Sequence, residues 1–202
     1  LHNGRHSFPT RRSSDPVHTG HLIIAEEART RFQLDEVVFV PAAIPPHKHR
    51  ADISPAEDRY AMVLLATASN PHFSVSRVEM ERSGPPYTLD TVLEFRKRYG
   101  SQAALYWLTG LDAVLELLTW HEPEAIIRHC RFIAATRPGY DPAMLAERLP
   151  QPFVAAIDLL TGPGVEISSS DIRRRIQEGV SARYLTPEPV LDYIRKRRLY
   201  AG

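Results

Sequence analysis

The sequence holds one cysteine, Cys130, in 202 residues. No intrachain disulfide can form, so a disulfide scaffold is excluded, and the chain fits a reducing compartment, with cytoplasm the expected location. Nowhere does an apolar run approach the roughly 18 to 20 residues that a helical bilayer span requires, so no membrane partner is expected. Charge of one sign is not in excess either: 25 Lys+Arg stand against 24 Asp+Glu, a formal net charge of +1. No global field recruits nucleic acid, and any anion site has to be local. Arg11-Arg12 does not read as an export signal, because Ser13, Ser14 and Asp15 stand where an apolar h-region belongs. No internal repeat is visible. What remains is an ordinary globular composition, 43% hydrophobic and 24% charged, long enough for one sizeable core and too short for a second large domain.

From about Thr19 onward the apolar spacing switches repeatedly between helical and strand periods, the sign of a βα-repeating α/β fold with a mainly parallel sheet. Leu22, Ala25, Ala28 and Phe32 line one face of a first helix, and Val37-Val38-Phe39-Val40 reads as a buried strand ended by Pro41. Ser54-Pro55-Ala56-Glu57 has the form of a capping box opening a second helix. Phe73 to Met80 reads as a strand, Thr88 to about Tyr99 as a helix and Ala104 to Leu108 as a strand before Gly110. A helix over Glu124 to Cys130 and a strand over Arg131 to Ala135 follow. Asp141-Pro142 then caps a short helix, and Phe153 to Leu159 is extended. Val165 to Ile167 reads as a last short strand, Ser170 to Glu178 as a helix stopped by Gly179, and Thr186-Pro187 opens the final helix. The stretches 42–52 and 161–164 are the surface linkers. Leu1 to Asp15 is polar, broken by Pro9, and contains no strand-like alternation, although a parallel fold needs a buried strand before its first helix.

Two constellations carry chemistry. In Asp15-Pro16-Val17-His18-Thr19-Gly20-His21 the histidines stand three apart at a helix start, where N–H groups and the helix dipole favour anions, and Gly20 clears the side-chain space where a nucleotide would approach the backbone. The same spacing also serves surface packing or a partial metal site, but no third ligand lies nearby for zinc. In Ile167-Ser168-Ser169-Ser170-Asp171-Ile172-Arg173 hydroxyls gather at another helix start, and the planar guanidinium of Arg173 can fork onto phosphate. A plain serine N-cap beside exposed arginines is the competing account. Together, two such helix starts can hold one triphosphate between them.

These runs resemble the T/HxGH and ISSTxIR motifs of the nucleotidylyltransferase superfamily. Within it, the chain resembles the bacterial nicotinate-nucleotide adenylyltransferases through three further segments: Pro45-Pro46-His47-Lys48; Gly84-Pro85-Pro86-Tyr87-Thr88-Leu89-Asp90-Thr91; and Gly110-Leu111-Asp112 followed by Trp120 and Arg137-Pro138-Gly139. The likeness runs from about Asp15 to Tyr200. It implies a Rossmann-like, doubly wound sheet in one domain over residues 15–202, with a small C-terminal helical part. It also implies transfer of AMP from ATP to nicotinate mononucleotide, giving deamido-NAD and pyrophosphate. The sister activities on nicotinamide mononucleotide or phosphopantetheine stay open as alternatives, as does a nucleotide-binding module without catalysis.

The resemblance implies that His18, His21, Lys48 and Arg173 serve the reaction. Asp15, Gly20, Gly110, Asp112, Arg137, Ser168 and Ser169 would serve ATP, and Tyr87, Thr88 and Trp120 the mononucleotide. Each has an ordinary alternative: a solvated loop for Lys48 and Arg137, helix caps for Thr88 and Asp112, the core for Trp120. Mg²⁺ is expected on the triphosphate oxygens with no protein ligand set of its own, and a homo-oligomer stays open. One departure stands out. The family opens with a strand into Gly-Gly-Thr-Phe-Asp-Pro, whereas here Arg11-Arg12-Ser13-Ser14 precede Asp15-Pro16. Leu1 to Ser14 is therefore read as a leader foreign to the domain.

Overall fold

The computed structural model describes residues 4–9, 15–42, 53–136 and 143–201. In chain order they form β1 (Arg5–Pro9), α1 (Thr19–Arg31), β2 (Glu36–Phe39), α2 (Ala56–Thr67), β3 (Phe73–Val75), α3 (Thr88–Tyr99), β4 (Ala104–Gly110), α4 (Leu111–Leu115), α5 (Pro123–His129), β5 (Arg131–Thr136), α6 (Ala143–Arg148), α7 (Gln151–Val154), β6 (Ile157–Thr161), α8 (Ser169–Gln177) and α9 (Glu188–Arg197). The strands pair in the order β3-β2-β1-β4-β5-β6, and each of these ladders is parallel. The order reverses between β1 and β4, so a doubly wound sheet opens a crevice there, beyond the carboxyl ends of the strands.

Period-two alternation sorts the core into two layers. Val38, Val40, Leu105, Trp107, Phe132 and Ala134 meet Val92 and Phe95 of α3 and Ile126 of α5 on one face. Val37, Phe39, Leu108 and Ile133 meet Ala25 and Ala28 of α1, Met62 of α2 and Ile194 of α9 on the other. A small third cluster of Ile172, Ala182 and Leu191 joins α8 to α9, the expected C-terminal helical part. Among the described residues no helix is long and apolar enough to cross a membrane.

Arg96, in the last turn of α3, ties one end of the upper layer together. Its guanidinium donates to the carbonyls of Gly100 and Ala103 at 3.2 and 2.5 Å and, through Nη2, to that of His129 at the end of α5. Gly100 closes α3 with φ +86°, a left-handed conformation that glycine adopts without steric cost.

Several sequence expectations need correction. A strand does precede α1: Arg5–Pro9 lies between β2 and β4 and pairs with both. It is held through main-chain groups, since Asp35 N–H donates to Arg5 O at 2.8 Å and Ala104 N–H to Gly4 O at 3.0 Å. Backbone pairing needs no apolar alternation, which is why the composition concealed it. The strand expected over Phe73 to Met80 stops at Val75, and Val165 to Ile167 pairs with no strand among the described residues. Phe153 belongs to α7, so the extended run starts only at Ile157. Ser54 caps nothing through its side chain; Pro55 takes the N-cap position of α2. The expected cap Asp141-Pro142 lies outside the described residues.

Candidate active site

The crevice side of the sheet is occupied by the starts of α1 and α8, and the two are docked directly. Arg173 Nη1 donates to the Asp15 carbonyl at 2.7 Å, and Ser169 Oγ donates to the Pro16 carbonyl at 2.9 Å. The paired-imidazole helix start and the hydroxyl–guanidinium helix start therefore form one site, although more than 150 residues separate them in the chain, as in the step from Asp15 to Arg173.

His18 and His21 stack with ring centroids 3.7 Å apart. His18 donates its backbone N–H to His21 Nδ1 at 3.2 Å, so a neutral His21 carries its proton on Nε2 and can donate from there. His18 is 8% exposed, and its Nδ1 has no partner among the described residues. Burial lowers the His18 pKa to about 4. Burial, with the positive charge His18 would carry, lowers that of His21 to about 3. Both rings are thus neutral near pH 7 in the free site.

Gly20 supports this arrangement in a way the sequence did not reveal. A Cβ there would stand 3.1 Å from His18 Nδ1 and 3.2 Å from Cε1, tighter than ordinary packing. The expectation of open N–H groups at the α1 start is modified as well. Thr19 N–H donates to Leu185 O at 2.8 Å and His21 N–H to His18 O at 2.9 Å. Two first-turn donors are already taken, which leaves the imidazoles as the principal groups for an anion.

On α8, Ser168 is the N-cap, its Oγ accepting the Asp171 N–H at 3.1 Å. The Ser168 hydroxyl hydrogen has no acceptor among the described residues, whereas that of Ser169 goes to the Pro16 carbonyl. Asp15 is fully buried, so its side chain lines no open surface. Its carboxylate accepts Ser54 N–H at 2.8 Å and the Tyr200 hydroxyl. Burial beside that carboxylate pushes the Tyr200 pKa up.

Beside Gly20 a cleft of about 470 Å³ opens, lined by Ile24, Thr136, Gly162, Val165 and Ile167 among others. Its walls come from the carboxyl ends of β5 and β6 and from the segment leading into α8. Gly110 and Asp112, both exposed, stand where β4 passes into α4, on the other strand of the topological switch.

A second cluster gathers the residues expected around a pyridine ring. Tyr87 is 38% exposed and stacks on His121 with centroids 4.1 Å apart. Its neighbour Thr88 opens α3 and is 3% exposed, with an Oγ1 lacking a partner among the described residues. Trp120, adjacent to His121, is half-buried and sets its ring against the edge of Phe132 at 5.9 Å. The remaining expected residues, Lys48 and Arg137, lie outside the described residues.

A family model described as cytidylyltransferase-like matches residues 13–175. A Moorella thermoacetica (strain ATCC 39073 / JCM 9320) protein named probable nicotinate-nucleotide adenylyltransferase is 51% identical over 189 residues, covering 92% of this chain and 87% of its own. The chain belongs to the nicotinate-nucleotide adenylyltransferase family. A second member, from Thermoanaerobacter sp. (strain X514), is 46% identical over 92% of this chain and 90% of its own. The fold also matches a solved nicotinic acid mononucleotide adenylyltransferase of Plasmodium falciparum complexed with NaAD. The TM-score is 0.76 at 19% identity, over 98% of both chains.

Some residues of this adenylyltransferase site escaped the sequence reading. Gly162, Val165 and Ile167 were read as a linker and a strand, although two glycines flanking Pro163 already mark a backbone that something could approach closely. Ser54 and Tyr200 through Asp15, and Tyr184 through its carbonyl, which accepts the Thr19 hydroxyl at 3.0 Å, bear on the α1 start only through long-range contacts. No local pattern announces them.

Proposed function

We propose that the chain transfers the adenylyl group of ATP to the 5′-phosphate of nicotinate mononucleotide, forming deamido-NAD and releasing pyrophosphate. The observation that carries this reading is the docking of the α1 and α8 starts through Arg173 to Asp15 and Ser169 to Pro16. The names of the relatives at 46–51% identity support the same substrates. A triphosphate laid across the junction meets the imidazoles of His18 and His21 on one side, and Ser168 and Arg173 on the other. The cleft beside Gly20 has the apolar walls and glycine floor that suit a flat adenine. Gly110 and Asp112 stand at the switch point, suited to a ribose, with Lys48 and Arg137 as further cationic contacts. Thr88 and Tyr87 offer donors for the nicotinate carboxylate, and Trp120 offers a face for the ring.

In the reaction, an oxygen of the mononucleotide phosphate attacks the α-phosphorus of ATP in line, and the bond from that phosphorus to the bridging oxygen of the β-phosphate breaks. Pyrophosphate leaves with the electron pair. The attacking phosphate is already ionised, so no general base is required, and the chain's residues work by positioning and by stabilising charge. His18 is cast as the donor nearest the α-phosphate. With its pKa lowered to about 4 by burial, His18 stays neutral in the free site and would donate from an imidazole N–H. The described residues include no group of three His, Cys, Asp or Glu able to hold a metal, and the buried Asp15 is already paired. The donor set thus fits Mg²⁺ carried in on triphosphate oxygens and water, where it would screen the β- and γ-phosphates. Cys130, with its thiol pushed up to about 12 by burial, takes no part. We place the enzyme in the cytoplasm, where ATP and reduced thiols coincide.

Pyrophosphate release measured with ATP and, in parallel, nicotinate or nicotinamide mononucleotide tests the proposal. Release with the acid form and little with the amide is expected. ATP binding without release from either would overturn the activity, and preference for the amide would overturn the acceptor.

A further inference from the structure

Asp15 is the meeting point of four segments. It is fully buried, yet its three oxygens serve three separate partners. The carbonyl accepts Arg173 Nη1 at 2.7 Å, carboxylate Oδ2 accepts the Ser54 N–H at 2.8 Å, and Oδ1 accepts the Tyr200 hydroxyl. Arg59, 3% exposed, donates Nε to the Ser54 carbonyl at 3.2 Å, and its charge faces Asp15. A buried carboxylate is costly unless paired and hydrogen-bonded, and here the pairing is complete only with Tyr200 in place.

Tyr200 reaches that position through an unusual backbone. Arg198 has φ +52° and Tyr200 φ +62°, two non-glycine residues in the left-handed region within three positions. Chain leaving α9 turns back through them, and the Tyr200 ring lies against the layer that includes Met62 and Ile194. Such conformations persist where surrounding contacts over-determine them, and they concentrate at functional sites.

We infer that Tyr200 is a positioning residue for polyphosphate binding. Its hydroxyl holds the Asp15 carboxylate, which sets the Asp15 carbonyl on which Arg173 is aimed. This rests on the proposed nucleotide site but concerns ATP affinity alone, so it can be judged without turnover. The group sits one step behind the phosphates and touches none of them.

Calorimetric titration of ATP into the wild type, Tyr200→Phe, Arg173→Ala and the double variant tests the inference. Tyr200→Phe retains the packed ring and loses only the hydroxyl. ATP binding is expected to weaken about tenfold in Tyr200→Phe, in line with loss of a hydrogen bond to a charged group. In the Arg173→Ala background the same substitution is expected to change affinity by less than about twofold, because its effect passes through that guanidinium. Wild-type affinity in Tyr200→Phe overturns the inference, and so does a full tenfold effect in both backgrounds, which describes a merely structural residue. Should a variant not fold, amide exchange of the unmodified protein decides: ATP is expected to slow the Ser54 N–H, and an unchanged rate counts against the hub. ATP binding that follows the expected pattern without pyrophosphate release would overturn the proposed reaction and leave this inference standing. A wild type that binds no ATP would overturn both.

Discussion

Replacing His18 with glutamine should make folding stability less sensitive to acid. Burial lowers the folded imidazole's pKa to about 4, whereas the same group in the unfolded chain titrates near its ordinary value of 6.5. Between those values the unfolded state binds the extra proton, so stability falls as pH falls. Above 6.5 the penalty is absent, and below about 4 it is fully developed. Moving from about pH 7.5 to about pH 5, single-site linkage gives a loss of roughly 2 kcal/mol from His18 alone, or about 4–8 °C in Tm for a chain of this size. His21 adds a loss of the same sign. Glu36, held down to about 2 chiefly by its hydrogen bond to His6, also loses stability in acid, but at lower pH and equally in both proteins. Urea titrations followed by tryptophan fluorescence at the two pH values would compare wild type and His18→Gln. The wild type should lose about 2 kcal/mol more than the variant. Parallel losses would refute the claim that His18 is buried and neutral in the free site.

Three further outcomes follow from the geometry. Gly20→Ala should lower kcat about tenfold by displacing the His18 ring while leaving Tm unchanged or raised, since alanine favours a helix by up to about 1 kcal/mol over glycine; unchanged kcat in steady-state assays would remove the packing argument. Trp120→Ala should raise KM for the mononucleotide about tenfold with little change in KM for ATP, and cost about 2 kcal/mol of stability because the ring also packs on Phe132; equal changes in both KM values would argue for a purely structural tryptophan. Exchanging Arg11–Ser14 for Gly-Gly-Thr-Phe ahead of Asp15-Pro16 should raise pyrophosphate release, because small residues let backbone N–H groups approach phosphate, and no gain would count against a phosphate role for that passage.

The βα rhythm was legible because parallel strands buried on both faces announce themselves as apolar runs, as at Val37-Val38-Phe39, and because α3 begins and ends on plain signals, Thr88 and Gly100. The two helix-start motifs were legible for a similar reason: each is a local run into a helix whose residue types suit anions. β1 was not, because its place depends on ladder bonds to β2 and β4 that leave no mark on composition. The capping box at Ser54 was misread because tertiary contact claimed the residue, its N–H going to Asp15 and its carbonyl to Arg59. Tyr200 was invisible for want of any local period, and at the cleft of Gly162 to Ile167 only the glycines flanking Pro163 left a mark. The double use of His21, as helix residue and as acceptor for His18, could be drawn only once the rings were seen stacked.

Arg96 ties together the far ends of the two helices that flank the Tyr87–His121 stack. The helices α3 and α5 begin beside the Tyr87–His121 stack and finish at the one guanidinium that grips the tails of both. Two helices joined through one side chain at their far tips hold their spacing there, at the ends away from Tyr87 and His121. A lysine at that position, a point charge on a single stem, could not reproduce the fork that reaches both carbonyl sets.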